Sequence, residues 1–328
     1  MSAGSSQLDH HSLKVNVASK KPNAKAAAIK TQKVTYVYSK IAEPYPKTLH
    51  RLWNKGLIID SRGDAENALK TIGYYRLLIY MRHFQSNAAA RNFLPRSKFS
   101  SIVALYNFDR EIRLLTLNAI EKLEVALRTA IINPLAELHT PHWYLDATHF
   151  DDDIKFHGVM GKIIQGAGVR KGLALTHYFD KYHAPVLPPI WLVCEKLTFG
   201  ALSRFFEALR IDRRKIVGRY IWSYPEHLLV SWFHALAHLR NICAHQDRLW
   251  NNPITAFSPE AHKTYSGDFS APTSFYSRAV VIQLLMRELG LNGWWRDSLL
   301  ALLASCTHVD PRMHLGFPRG WNTRPAWA

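Results

Sequence analysis

The chain has few cysteines, a shortage of acidic residues and no long apolar run. Three cysteines occur in 328 residues (Cys194, Cys243 and Cys306), and this odd, widely spaced set makes no disulfide framework and fits a reducing compartment. The longest apolar runs fall far short of the roughly 20 residues that cross a bilayer, and the N-terminus has no apolar signal core. We therefore expect a soluble, cytoplasmic protein.

The charge balance is strongly basic. The chain has 42 Lys and Arg against 25 Asp and Glu, a formal net charge of +17 with histidine neutral. Such an excess favours a polyanionic partner, either nucleic acid or an anionic membrane. The membrane is the weaker alternative, because the sequence shows no basic amphipathic helix and no lipidation signal.

The basic excess is marked at the N-terminus. Residues 1–33 contain six lysines but a single acid, Asp9, and no aromatic residue precedes Tyr36. We predict that residues 1–43 form a basic flexible tail and that residues 44–328 form one folded domain. The tail is either an arm that grips phosphates or a solvated extension.

The remaining 285 or so residues have the pattern of an all-α protein, because their apolar residues repeat at three- and four-residue steps. We predict a short helix over 48–54, a second from a cap at Asp64 toward Phe84, and a long one over about 100–137. Residues 139–188 are predicted to be rich in loops, with the glycines of 161–172 in turns.

The long helix also has a charged stripe at helical spacing. Its members are Arg110, Arg113, Glu121, Glu124 and Arg128. Glu124 and Arg128 form an i,i+4 pair, which is either a surface or packing pair or a support for a functional site.

A further helix is predicted from Ser223, because Ser223 and Glu226 have the spacing of a capping box, to Asn251-Asn252-Pro253. On a helical wheel it has two faces. The apolar face contains Leu228, Trp232, Leu236, Leu239, Cys243 and Trp250. The polar face contains His227, His234, His238, Asn241, His245 and Arg248.

The same helix contains an Arg-x4-His spacing, from Arg240 to His245 on the polar face. The spacing alone is weak, because a chain with 17 histidines and abundant arginine contains such a pair by chance. The two positions lie about 140° apart on a regular helix, whereas Asn241 and His245 share a face. The pair suits metal-independent RNA cleavage, in which histidine moves protons and arginine stabilises phosphate charge.

Two local alternatives compete with this interpretation. His234 and His238 have the i,i+4 spacing of a zinc-binding helix, but Ala235 stands where a metalloprotease has its Glu base and no third ligand is evident. The aromatic pairs Tyr74-Tyr75 and Trp294-Trp295 could stack RNA bases, although aromatics in helices usually belong to the core.

Several blocks of the sequence together resemble one family, the AbiD/AbiF-like abortive-infection (Abi) proteins of bacteria. The main block is 239–245 (LRNICAH) followed by 248–251 (RLWN). The others are 56–60 (GLIID), 72–76 (IGYYR), 106–110 (YNFDR), 120–128 (IEKLEVALR), 188–191 (PPIW), 198–200 (TFG) and 316–318 (GFP) before Trp321. In order, they span residues 44 to 327.

The resemblance implies an all-helical domain of the HEPN superfamily, in which two Arg-x4-His motifs face each other to form one ribonuclease site. Because this chain has one motif, a homodimer is implied, with Arg240, Asn241 and His245 as the catalytic residues. The family often has a second histidine after the motif, where this chain has Gln246. A further similarity, to the ribonuclease modules of type VI CRISPR effectors, makes a structured RNA a candidate regulator.

The expectation is thus a homodimeric endoribonuclease that needs neither metal nor cofactor and halts the growth of infected cells. Supporting roles are assigned to Glu124, Arg128, His238 and Arg248. Contacts to RNA are assigned to Lys20, Lys21, Arg76 and Arg110. The alternative is a regulatory protein that binds a structured RNA without cutting it.

Overall fold

The computed structural model describes residues 41–87, 89–168 and 172–328, and this part of the chain is helical. The helices are α1 (Tyr45–Asn54), α2 (Arg62–Thr71), α3 (Tyr74–Met81), α4 (Phe99–Leu138), α5 (Asp153–Gly168), α6 (Leu173–Lys181), α7 (Ile190–Cys194), α8 (Phe199–Ala208), α9 (Ile211–Arg219), α10 (Glu226–Ala244), α11 (Phe275–Arg287), α12 (Asn292–Ser305) and α13 (Pro311–Leu315). No β-strand occurs in the described ranges, and the all-α class expected from the sequence is confirmed.

Helix α4 is the element around which the others are arranged. Its 40 residues extend over about 60 Å, and it contacts α2, α3 and α7 to α12. The expected apolar stripe is buried at most positions, from Leu105 through Leu123 to Ala130. Arg113, expected on the charged stripe, is instead buried and only 4% exposed. Its burial is explained by Asp109 on the same helix, whose carboxylate pairs with the Arg113 guanidinium.

The N-terminal helices differ from the expectation in two places. The predicted helix toward Phe84 is divided into α2 and α3 by Gly73, whose φ of +93° lies in the region that favours glycine. The cap of α2 is not Asp64 but Ser61, whose side chain accepts a hydrogen bond from the Asp64 amide. The first helix, by contrast, is found as α1.

Residues 153–181 correct the expectation of a loop-rich segment. They contain α5 and α6, and Gly161 and Gly166, which were expected in turns, lie within α5 together with Gly158. A Cβ atom at Gly158 or Gly161 would have no neighbour within 4 Å. Gly158 and Gly161 therefore face open space on the helix surface, which the sequence pattern does not reveal.

A fully buried arginine holds together the C-terminal part of the fold. Arg278 of α11 is 0% exposed, and its guanidinium donates to backbone carbonyls at distances from 2.8 to 3.3 Å. The acceptors belong to Pro272, Ser274, Ile254, Ala256 and Phe257. Burial lowers the pKa of Arg278 to about 10, which still leaves the side chain charged at neutral pH. Arg278 thus fixes the segment that ends in Phe257.

Two further expectations concern the tail and the membrane. The predicted flexible tail, residues 1–43, lies almost entirely outside the described residues. Among the helices within the described ranges, none has the length and apolar content needed to cross a bilayer.

Replacement of Arg278 by Met should lower the free energy of unfolding by about 3 kcal/mol, because several buried carbonyls lose their donor. Urea unfolding followed by circular dichroism measures this loss. Arg62→Met is the matched control, since Arg62 forms an exposed i,i+4 pair with Glu66. The control should cost about 0.5 kcal/mol or less. Equal losses in the two variants would contradict the structural role of Arg278.

Candidate active site

The end of α10 determines where the Arg-x4-His residues lie. The helix begins at Glu226 after Pro225, without a side-chain cap, and it ends at Ala244. Gln246 adopts a left-handed φ of +61°, and the Asp247 amide donates back to the Ile242 carbonyl at 2.9 Å. The predicted helix to residue 250 is therefore too long, and the predicted cap at Ser223 is wrong. His245 lies at the C-terminal end of α10, where the backbone leaves the helix.

Asn241 connects the two ends of the motif. Its side-chain oxygen accepts a hydrogen bond from the Arg240 guanidinium at 3.2 Å, and its backbone carbonyl accepts from the His245 amide at 2.9 Å. The Arg240 guanidinium thus turns toward Asn241, the residue that shares a helix face with His245. Arg240 is half-buried, whereas Asn241 and His245 are exposed and accessible to a ligand or to a second chain.

A cleft of about 400 Å³ adjoins this end of the helix. Arg76 of α3 donates to the Gln246 carbonyl at 3.0 Å, so a residue assigned to RNA binding lies beside the motif. Arg248, expected on the helix, lies in the turn after it and donates to the carbonyls of Trp250 and Asn251. The cleft is lined by Arg76, Ile79, Tyr80, Ile242, Gln246, Asp247, Arg248 and Asn252.

A buried carboxylate fixes the chain that follows His245. Asp109 of α4 is 1% exposed, and its Oδ1 accepts hydrogen bonds from the amides of Leu249 and Trp250 at 3.0 and 2.7 Å. Its Oδ2 accepts from the Tyr80 hydroxyl at 2.6 Å and from the Arg113 guanidinium. Burial and the negative charge of Asp109 raise the pKa of Tyr80, which keeps this hydroxyl protonated as a donor.

The middle of the polar face of α10 is not open to solvent. His234 is half-buried, and its Nδ1 lies 2.6 Å from the hydroxyl of Ser203 in α8. Its Nε2 lies 3.2 Å from a carboxylate oxygen of Glu207, without hydrogen-bond geometry. The ring of Phe257 lies 5.8 Å from the rings of both His234 and His238. His238 thus packs beneath the segment that Arg278 fixes.

The pair Glu124 and Arg128 is formed, with a distance of 3.1 Å, but it lies elsewhere on α4. Arg128 donates to the carbonyls of Cys194 and Leu197 at 3.1 and 3.2 Å. It is 15 residues beyond Arg113, or roughly 22 Å along the helix. Arg113, by contrast, lies close to Cys243, the penultimate residue of α10: burial raises the pKa of this thiol to about 12, and the charge of Arg113 opposes that shift. The contacts of Arg128 therefore support α7 rather than Arg240.

None of the interactions described above places another residue that was predicted to contact RNA at this cleft. Arg110 is exposed on α4 and pairs with Glu111 at 2.5 Å. Lys20 and Lys21 lie outside the described residues. Among the aromatic pairs, Trp295 is buried as expected, but Tyr75 is 70% exposed and immediately precedes Arg76.

Sequence reasoning missed the residues that position the site. The sequence pattern does not single out Asp109 or Tyr80, and it places Arg113 only on the charged stripe. The available signal was an acidic residue at position 109 directly after Phe108, inside the apolar stripe of α4, and four residues before an arginine. Within the described ranges, no group of three or more His, Cys, Asp or Glu is arranged to hold a metal ion.

The fold and the site define an all-helical protein with an Arg-x4-His motif at the end of a central helix and a basic cleft beside it. The chain matches the family of Abi-like proteins over residues 67–251, which is more than half of its length and includes the motif. It belongs to that family, as its sequence blocks indicate. No curated protein and no solved structure matches the chain.

Replacement of Asp109 by Asn should lower the free energy of unfolding by about 3 kcal/mol, because Arg113 would keep a buried charge without its counter-charge. Urea unfolding measures the loss. Glu111→Gln is the neighbouring control, since Glu111 is exposed, and it should cost about 0.5 kcal/mol or less. A loss as small as that of the control would show that the buried pair does not carry the stability assigned to it.

The stability of the protein should fall as the pH drops below about 6.5, the ordinary pKa of histidine. Burial lowers the pKa of six histidines, so the unfolded chain binds protons at a higher pH than the folded chain does. They are His83, His142, His149, His234, His238 and His314. Their contribution to stability is complete above that pH and is lost below it.

Urea unfolding at pH 7.5 and at pH 5.5 tests this dependence. The double variant His83→Gln/His314→Gln, which removes a pair of rings 4.7 Å apart, should show a smaller difference between the two conditions. Undiminished stability of the wild type at pH 5.5 would contradict the effect.

Proposed function

We propose that the protein is a metal-independent endoribonuclease that acts as a homodimer in bacterial defence against phage. Membership in the Abi-like family supports the role in defence. The observation that supports the activity best is the C-terminal end of α10, where the side chains of Arg240 and Asn241 are hydrogen-bonded and exposed His245 follows, beside a cleft lined by Arg76 and Arg248.

The chemistry assigns one role to each side chain. His245 takes the proton of the ribose 2′-hydroxyl or returns one to the leaving oxygen, since an imidazole exchanges protons near neutral pH. Arg240 stabilises the charge that develops on the phosphate with its planar set of donors. Asn241 holds Arg240 in place through their 3.2 Å hydrogen bond.

A dimer follows from the need for two proton-transfer groups. Cleavage through the 2′-hydroxyl requires one group that accepts a proton and one that donates it, and each chain supplies one histidine in the motif. Position 246, which could have provided a second, is Gln246, and its carbonyl is bound by Arg76. Two copies of His245 meet the requirement.

The cleft next to the motif is suited to the RNA backbone. Arg76 and Arg248 border it, and the net charge of +17 attracts a polyanion from a distance. Tyr75, exposed beside Arg76, offers a face on which a base can stack. A structured RNA bound over this surface would control access to His245.

The test is cleavage of a labelled single-stranded RNA in excess EDTA, after the protein has been stripped of nucleic acid in high salt. Wild type should cut, and His245→Ala and Arg240→Ala should cut at least about 100-fold more slowly, the usual scale for loss of a proton-transfer group. His227→Ala is the matched control, because His227 is exposed at the other end of α10. It should retain the wild-type rate.

The alternative, a regulator that binds structured RNA without cutting it, predicts a different result. RNA would remain intact with every variant, while binding would stay tight and salt-sensitive. Cleavage by His245→Ala at the wild-type rate would exclude His245 from the site. Light scattering of the purified protein should show a dimer, and a strictly monomeric enzyme with full activity would contradict the shared site.

A further inference from the structure

A cavity lies away from the Arg-x4-His residues, between α5 and α8. It has a volume of about 730 Å³, within the range of pockets that bind small molecules. We name it the α5–α8 cavity and define it by Lys155, Gly158, Lys162, Lys196, Arg204 and Phe205. Nothing in the proposed ribonuclease chemistry uses it.

The cavity has an excess of positive charge that the protein itself does not neutralise. Four basic side chains line it, and the one carboxylate, Glu207, lies 2.7 Å from the Arg204 guanidinium. Lys155 pairs with Asp151 at 2.9 Å. Lys162 and Lys196 are exposed, and no carboxylate in the described part of the chain pairs with either. The ammonium groups of Lys162 and Lys196 are therefore free to bind an anionic ligand.

Glu207, the carboxylate on the cavity lining, does not neutralise these two lysines. Burial would raise the pKa of Glu207, but the hydrogen bond from Arg204 and the proximity of His234 lower it overall. Glu207 therefore stays ionised and stays with Arg204. It is not available to Lys162 or Lys196.

The remainder of the wall is apolar or open. Val159, Leu197 and Phe205 contribute buried hydrocarbon surface. Gly158 of α5 adds no side chain, and a Cβ atom there would meet nothing within 4 Å, so the glycine leaves room for a ligand. The start of α8, capped by Thr198, also borders the cavity.

We propose that the α5–α8 cavity binds an organic phosphate monoester with an apolar or aromatic body. A phosphate monoester carries a charge of about −1.5 to −2 at neutral pH, which matches two lysines better than a single carboxylate would. The apolar wall accepts the body of the molecule, and Lys162 and Lys196 bind the phosphate. Nucleotide monophosphates and alkyl phosphates share this chemistry.

Isothermal titration of the full chain with 5′-AMP, decyl phosphate and inorganic phosphate tests the proposal. At least one organic phosphate should bind at least about tenfold more tightly than inorganic phosphate, because only the organic molecules use the apolar wall. The organic probe that binds more tightly shows whether the cavity prefers a nucleoside or an alkyl chain attached to the phosphate. Equal affinity for all three probes, or no binding of either organic probe, would overturn the proposal.

Two pairs of variants locate the binding. Gly158→Leu should fill the cavity and weaken binding of the preferred probe by about tenfold or more, whereas Gly161→Leu, which changes a glycine of the same helix that does not line the cavity, should leave it within about twofold. Both replace a helical glycine with a better helix former, so neither should unfold the protein.

The second pair tests the charge. Lys162→Ala/Lys196→Ala should weaken binding by about tenfold or more, and Lys70→Ala, an exposed lysine of α2, should not. Unchanged affinity in Gly158→Leu or in the double lysine variant would overturn the site. Because the readout is binding and not cleavage, the result is independent of the proposed ribonuclease activity.

Discussion

The carboxylate of Asp109 is the interaction on which the site depends. It is buried in the longest helix, and it accepts hydrogen bonds from α3 through Tyr80, from α4 itself through Arg113 and from the chain after α10 through two backbone amides. A buried carboxylate is costly unless its charge is compensated and its lone pairs are used. Here both conditions are met, and meeting them joins three parts of the chain at one point.

The electrostatics of the cleft follow from this junction. The chain leaves α10 at Gln246, so the last carbonyls of the helix, which carry partial negative charge, lie beside the motif. Arg76 binds one carbonyl of that turn, and Arg248 binds those of the next. Positive side chains therefore collect at the helix end for a structural reason, since their guanidinium groups bind backbone carbonyls there.

The helical class, α1, the bounds of α4 and the apolar face of α10 could be predicted because they depend on local periodicity. The break at Gly73 and the end of α10 could not. The apolar residues of α10 continue at helical spacing to Trp250, so the pattern favours a longer helix. The helix ends earlier because Gln246 adopts a left-handed conformation and because the amides of Leu249 and Trp250 donate to the distant Asp109 carboxylate. Arg240, Asn241 and His245 stay a prediction from the sequence. The residues that fix the chain after α10 could not be predicted, because their partners are distant along the chain.

The separation of those partners has a consequence during synthesis. Asp109 lies 140 residues before Leu249 on the chain. At about 5 to 20 residues per second, a ribosome that has completed Asp109 needs roughly 7 to 28 s to supply its partners. Until then α4 has a carboxylate and an arginine in place, but the turn that presents His245 does not exist. A nascent chain that stalls before this point therefore cannot form the junction at Asp109, because the amides that the carboxylate binds follow α10 in the sequence.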